Sequence, residues 1–393
     1  MLINLRNALM AGKKLPYDNE VEYLESTGTQ WIDTGLTFDV SSVVDIAIGI
    51  TPTATSSGDA FFYGLENLGS GNIGLELYRT YFYFAAGTLE QNAGAATVGT
   101  RYDFLAHYES GNSWLKTNGT TTATLSNAFT KISSKTLFLF SRNTPSNPAS
   151  AKIYSFKVYK NNVLIRDFIP VRVGTVGYLY DRVSGKLFGN AGTGDFVLGQ
   201  DVVPVEYLQS TGTQRILTDI YTDADTRIEF KGSGTDGSWF GVLPSSSVAW
   251  WTILPNYNGT QLRYYYGSST AHDATTTDVT TSREFVCSRS LYVDGAEVLS
   301  LTNTLKTANV PLSLFARTAA SGTSFTSLLV GTMNYLRVYK NDILVNKFLP
   351  VRVGTDATSW EGAMMDVLTR RIYRNQGSGA FGYGNDLKYP IPA

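Results

Sequence analysis

The sequence predicts an all-β protein built as two tandem copies of one sandwich or barrel domain. Three observations carry this. Aromatic residues make up 13% of the chain, with 24 Tyr and 20 Phe, and only 17% of residues are charged; with abundant Thr, Ser and Gly, that mix favours strands. Apolar residues alternate with a period of two, as in "YSFKVYK" (154–160), where Phe156 and Val158 share one face and Lys157 and Tyr159 the other. Tight-turn dipeptides such as Asn118-Gly119 and Asp294-Gly295 punctuate the runs, because Asn, Asp and Gly accept the positive φ a short hairpin needs.

Residues 1–20 form a separate arm. Leu2, Leu5 and Leu9, with Ile3 and Met10 nearby, are expected to form one face of a short helix stopped at Gly12, and Leu2, Ile3, Leu5 and Leu9 to be its docking residues. A helix so short needs a surface to dock on, either its own domain or a partner.

The first domain is expected over 21–200 and the second over 204–393. The phrase "VEYLESTGTQ" (21–30) returns as "VEYLQSTGTQ" (205–214) with one change, Glu25 to Gln209. In order after it, "FFYG" (61–64) matches "SWFGV" (238–242) and "WLKTNG" (114–119) matches "LYVDG" (291–295). "TLFLFSR" (136–142) then matches "PLSLFAR" (311–317). "FKVYKNNVLIRDFIPVRVGT" (156–175) matches "LRVYKNDILVNKFLPVRVGT" (336–355), a hairpin whose second strand is expected to end at Pro170 and Pro350. The ends agree too, pairing Asp181 with Asp366 and Asn190 with Asn375. A period this long marks a duplicated domain.

Charge and cysteine content exclude several classes. The net charge is −1 without a basic run, so neither nucleic acid nor an anionic membrane is an expected partner. Cys287 is the single cysteine, expected as a small buried hydrophobe, and no Cys-based zinc site or internal disulfide can form. No signal peptide or transmembrane segment is recognisable, which suits synthesis in a reducing cytoplasm.

The phrases "VEYLESTGTQWIDTG", "SAKIYSFKVYKNNVLIRDFIPV" and "GYLYDRVSGKLFGNAGTGDF" resemble a family of concanavalin A-like, or laminin G-like, jelly-roll domains of gut bacteria and their phages. The second copy carries the same frame, with "RILTD" in place of "WIDTG". The resemblance implies two antiparallel sheets packed face to face, often with a glycan-recognising face. It implies a virion-associated fibre, decoration or adhesion subunit, whose arm docks on other virion proteins; the low charge and many aromatics suit contact surfaces, so a homo-oligomer is expected. The alternatives are a purely structural virion subunit, a bacterial surface carbohydrate-binding protein and, last, a glycoside hydrolase.

No catalytic constellation stands out. The E-x-D-x-x-E strand pattern of jelly-roll glucanases is missing; Asp45 stands by itself, and a glycine-rich loop separates Glu66 from Glu76. His107 and His272 occupy unrelated places in the two copies, so they are expected as ordinary surface or satisfied core residues, not as a triad or metal cluster. No cofactor is expected. Calcium would suit oxygen ligands on sandwich loops, but the recurrence of Asp181 and Asn190 reads first as turn capping. For a glycan site the candidates are Trp251, Tyr257 and Tyr265, in segments the copies do not share. Core packing is the favoured reading for any one ring, since Trp250 and Trp251 must point oppositely in a strand.

Overall fold

The computed structural model describes residues 15–39, 41–65, 72–126, 135–143, 148–257, 261–275, 278–355 and 359–387. The arm residues Leu2, Ile3, Leu5 and Leu9 lie outside these. The chain divides into two compact units, Met1–Asp201 and Val202–Ala393. Each is an all-β jelly-roll sandwich.

In the first unit one sheet centres on the long strand Ser150–Lys160. It pairs with Val44–Pro52 on one side, and on the other with Leu24–Thr27 and then Val163–Val173. Val44–Pro52 continues to Tyr102–Tyr108, Ser113–Thr117 and Thr120–Leu125. The second sheet runs in the order Ile32–Asp33, Phe138–Leu139, Ser56–Leu65, Asn72–Arg79, Tyr81–Gly87, Leu89–Ala95. Alternating side chains of both sheets meet in one core, including Ile46, Ile48, Phe62, Leu75, Phe84, Phe104 and Phe156.

The second unit repeats this plan. Val330–Lys340 pairs with Thr226–Asp236, Leu208–Thr211 and Ile343–Gly354. Its second sheet runs Ile216–Leu217, Ser313–Leu314, Phe240–Leu243, Trp251–Tyr257, Gln261–Tyr266, His272–Thr275. Phe230, Trp239, Trp251, Tyr264 and Phe285 fill its core.

Local chemistry explains the turns. Asn118 and Asp294 both take φ 49°, followed by Gly119 and Gly295 at 83°. Asn161-Asn162 and Asn341-Asp342 are also left-handed at both positions, which matches the twist of a two-residue hairpin. The hairpin's second strand does not stop at proline. It continues to Val173 in the first unit and Gly354 in the second. Pro170 falls between the last pairing with Ser150–Lys160, at Phe168, and the first with Asn19–Val21, at Val171. Its missing N–H therefore breaks no ladder bond on that side.

The duplicated phrase is a clasp. Gln30 Oε1 accepts from Thr27 N at 2.8 Å, and Gln30 Nε2 donates to the Asp195 carbonyl at 3.1 Å. Asn190 Oδ1 accepts from Trp31 N at 3.1 Å and Gly192 N at 2.8 Å. The second unit repeats every bond through Gln214 and Asn375, to Thr211, Ala380, Arg215 and Gly377. The opening strand is thus tied to the closing loop of its own unit. The change of Glu25 to Gln209 has its counterpart across the strand: Lys152 lies 3.9 Å from Glu25, and the residue paired with Gln209 is the uncharged Thr332.

Asp181 and Asp366 cap turns. Asp181 is fully buried and accepts from Asp167 N, Val183 N, Ser184 N and Ser184 Oγ. Asp366 accepts from Lys347 N, Leu368 N, Thr369 Oγ1 and Asn346 Nδ2; its burial raises its pKa above the ordinary carboxylate value. Among the described residues no group of three or more His, Cys, Asp or Glu is placed to hold a metal ion, and no helix is long and apolar enough to cross a membrane.

Candidate functional site

The outer face of the first unit's second sheet carries a pocket of about 100 Å³, lined by Asp59, Phe61, Gly74, Glu76, Glu90 and Arg142 among others. Strand register builds it. One row across the sheet reads Phe138, Gly64, Gly74, Ala85, Glu90. Two of its central members are glycine and the third alanine, so the floor is low. The adjacent row reads Phe61, Glu76, Tyr83, Asn92. Glu90 on the outermost strand and Glu76 two strands inward thus stand diagonally across Ala85.

Arg142 roofs one side. A Cβ on Gly64 would lie 2.9 Å from Arg142 Cβ, so glycine is what lets the arginine stem cross the strand. Its guanidinium sits 5.2 Å from the centroid of Phe61, within cation–π reach.

Glu76 is 3% exposed. Burial, a hydrogen bond with Glu90 and the negative charges of Glu90 and Asp59 push its carboxyl up to about 9, against the opposing pull of Arg142. At neutral pH Glu76 therefore keeps its proton and is a donor. The pocket offers a carboxylic acid, carboxylates, a guanidinium and a ring within one small space.

A pH effect follows. The unfolded chain releases the Glu76 proton near 4.5, the folded one near 9. Between these values the folded state binds more protons, so stability is complete below the lower value and falls as pH rises towards the upper one. Glu76→Gln is expected to flatten that decline in urea midpoints measured between about pH 5 and about pH 8. Parallel wild-type and variant curves would refute it.

The residues anticipated from sequence are placed elsewhere. Trp251 is fully buried, with Nε1 donating to Tyr264 Oη at 2.8 Å. Its ring therefore has no face for a sugar, because the strand turns Trp251 inward and Trp250 outward. Tyr265 is half-buried on the outer face, near Trp250, with ring centroids 6.1 Å apart. Tyr257 ends its strand, and its side chain lies outside the described residues. The structure does not bring Trp251 and Tyr265 together on one face. Cys287 is buried, and burial pushes its thiol up.

His107 lies on the outer face of the first unit's other sheet. Its Nδ1 is 2.7 Å from Asp45 and its ring stacks on Trp114 at 4.9 Å. His272 differs from expectation, since its buried Nε2 lacks a hydrogen-bond partner among the described residues.

No family model and no curated protein matches the chain. Among solved structures, it is similar to domains LG4-5 of the mouse laminin alpha1 chain, at 12% identity and TM-score 0.31, covering 85% of this chain and 96% of that one. It is also similar to a candidate carbohydrate-binding protein from Bacteroides ovatus, at 12% identity and TM-score 0.36, covering 46% of this chain and 60% of that one. A third is the binding domain of botulinum neurotoxin DC in complex with SialylT, at 9% identity and TM-score 0.26, covering 86% and 84%.

Proposed function

We propose that the protein is a non-enzymatic binding protein whose first unit grips a hydroxyl-rich glycan in the Glu76 pocket. One observation carries this: a buried Glu76 that stands diagonally from Glu90 across Ala85, with Asp59, Arg142 and the Phe61 ring lining the same pocket. Sugar hydroxyls both donate and accept, and the pocket supplies partners of both kinds. Its 100 Å³ holds roughly three waters' worth of volume. That suits one edge of a sugar ring with the rest of the chain left outside.

Hydrolysis is the competing use of paired carboxyl groups. A retaining glycosidase holds them about 5 Å apart with the scissile bond between. Glu76 and Glu90 instead act on one another directly, Glu90 pushing the Glu76 carboxyl up, and they line the same small pocket side by side. Attachment within a phage particle, as a fibre, decoration or adhesion subunit, is supported by the sequence resemblance and by the apolar arm before "LPYD".

The full chain is expected to select glycans on an array and to release no reducing sugar from them. Glu90→Gln combined with Asp59→Asn should weaken the best ligand at least about tenfold, a loss of roughly 1.4 kcal/mol. An unchanged affinity would remove the pocket from the proposal, and sugar release would replace binding with catalysis. Antibody labelling of purified particles tests the virion part, which fails if the protein is not on them.

A further inference from the structure

The second unit repeats the pocket's frame but not its contents. The row Phe138, Gly64, Gly74, Ala85 becomes Ser313, Gly241, Thr252, Tyr265. Leu254 takes the register position of Glu76, since it faces Arg263 as Glu76 faces Tyr83. Continuing the register of Tyr264 with His272 puts Ala271 opposite Tyr265, where Glu90 stood. Both carboxyl groups of the hydrogen-bonded pair are gone.

The arginine remains. Arg317 occupies the place of Arg142, and a Cβ on Gly241 would lie 2.8 Å from Arg317 Cγ, so its stem also crosses over a glycine. Arg317 donates to Ser327 Oγ, while its buried Nε has no partner among the described residues. Among the described residues no carboxylate pairs with it. Burial lowers its pKa, and the group that bears on its charge is Tyr265. The nearby Arg263, by contrast, is neutralised by Asp273 through two bonds of 2.7 Å. The adjoining segments 258–260 and 276–277 contain no acidic residue.

A partly desolvated guanidinium without a counter-ion is costly unless something completes it. Arg presents a planar fork that fits a carboxylate. Tyr265 lies close enough to bear on its charge, Trp250 stands beside Tyr265 on the same outer face, and rings of this kind pack against sugar faces. We infer that this face of the second unit is an anion subsite in which Arg317 takes the carboxylate of an acidic sugar, flanked by Tyr265 and Trp250. The site lies in a different unit from the Glu76 pocket and does not depend on it.

Calorimetric titration of the full chain with glucuronic acid, its methyl ester and acetate tests this. Glucuronic acid should bind, the ester should bind at least about tenfold more weakly, and acetate should be weaker still for want of ring contacts. Added salt should weaken binding, as expected of a charge contact near the surface. Arg317→Met should abolish binding while thermal unfolding stays cooperative. Selectively labelled tyrosine, assigned through Tyr265→Phe, should show the Tyr265 ring shifting on titration. Equal binding of acid and ester, no binding of the acid, or a Tyr265 signal that does not move each overturns the inference, and all three are read on protein with Arg317 intact.

Discussion

Trp251→Ala is expected to unfold the second unit's core, not to trim a binding face. The ring is completely buried, packs edge-on against Phe240 at 5.5 Å and Tyr266 at 5.6 Å, and donates to Tyr264. Removing a buried tryptophan loses its transfer energy and leaves a cavity, costing about 3–5 kcal/mol. The orphaned Tyr264 hydroxyl still donates to the Ser288 carbonyl, so the cost is mainly packing. A urea titration followed by circular dichroism should show an unfolding free energy lower by that amount. A variant with wild-type stability would put Trp251 outside the core.

Asp181→Ala is expected to cost the first unit a similar amount. Its carboxylate fills a turn with four donors, and Arg166 Nε lies 3.6 Å away. Alanine leaves buried N–H groups unsatisfied and an arginine without its partner, and breaking such a pair costs about 3–5 kcal/mol. Hydrogen exchange should register lost protection in peptides covering 163–188. Protection equal to wild type would sink the capping role. Asp181→Asn should recover part of the loss, because an amide oxygen can still accept from the Asp167 and Val183 amides.

How much of this was legible in the sequence depends on distance along the chain. The turns at Asn118-Gly119 and Asp294-Gly295 were readable because their cause is local: two residues that tolerate positive φ. The opposite facing of Trp250 and Trp251 was readable from the period of two. Which of them turned inward was not, since that depends on the sheet packed above. The Glu76 pocket was missed for the same reason. Glu76, Glu90, Asp59 and Arg142 come from separate strands and a loop, and only the register places them together. A signal did exist. Gly74 and Ala85 are small where the second copy has Thr252 and Tyr265, and a vacated row in one copy of a duplicated sheet marks a place where something else fits. Proline reads as a strand stop in sequence, yet the strands run on past Pro170 and Pro350, because a strand passes through proline wherever no ladder bond is asked of its nitrogen.

The clasp between the opening phrase and the closing loop sets a schedule for synthesis. Among the described residues Leu24–Thr27 pairs with Ser150–Lys160 and Val197–Leu198, and Gln30 with Asp195. A ribosome working at roughly 5–20 residues per second needs on the order of ten to thirty seconds to deliver them. Until the last of them is made one edge of the first strand is unpaired, and then the chain spells the same strand again at Leu208–Thr211. Two near-identical strands are then present in one nascent chain, each able to claim the other's partners. A first unit that closes on its own loop before the second copy of the phrase emerges escapes that competition.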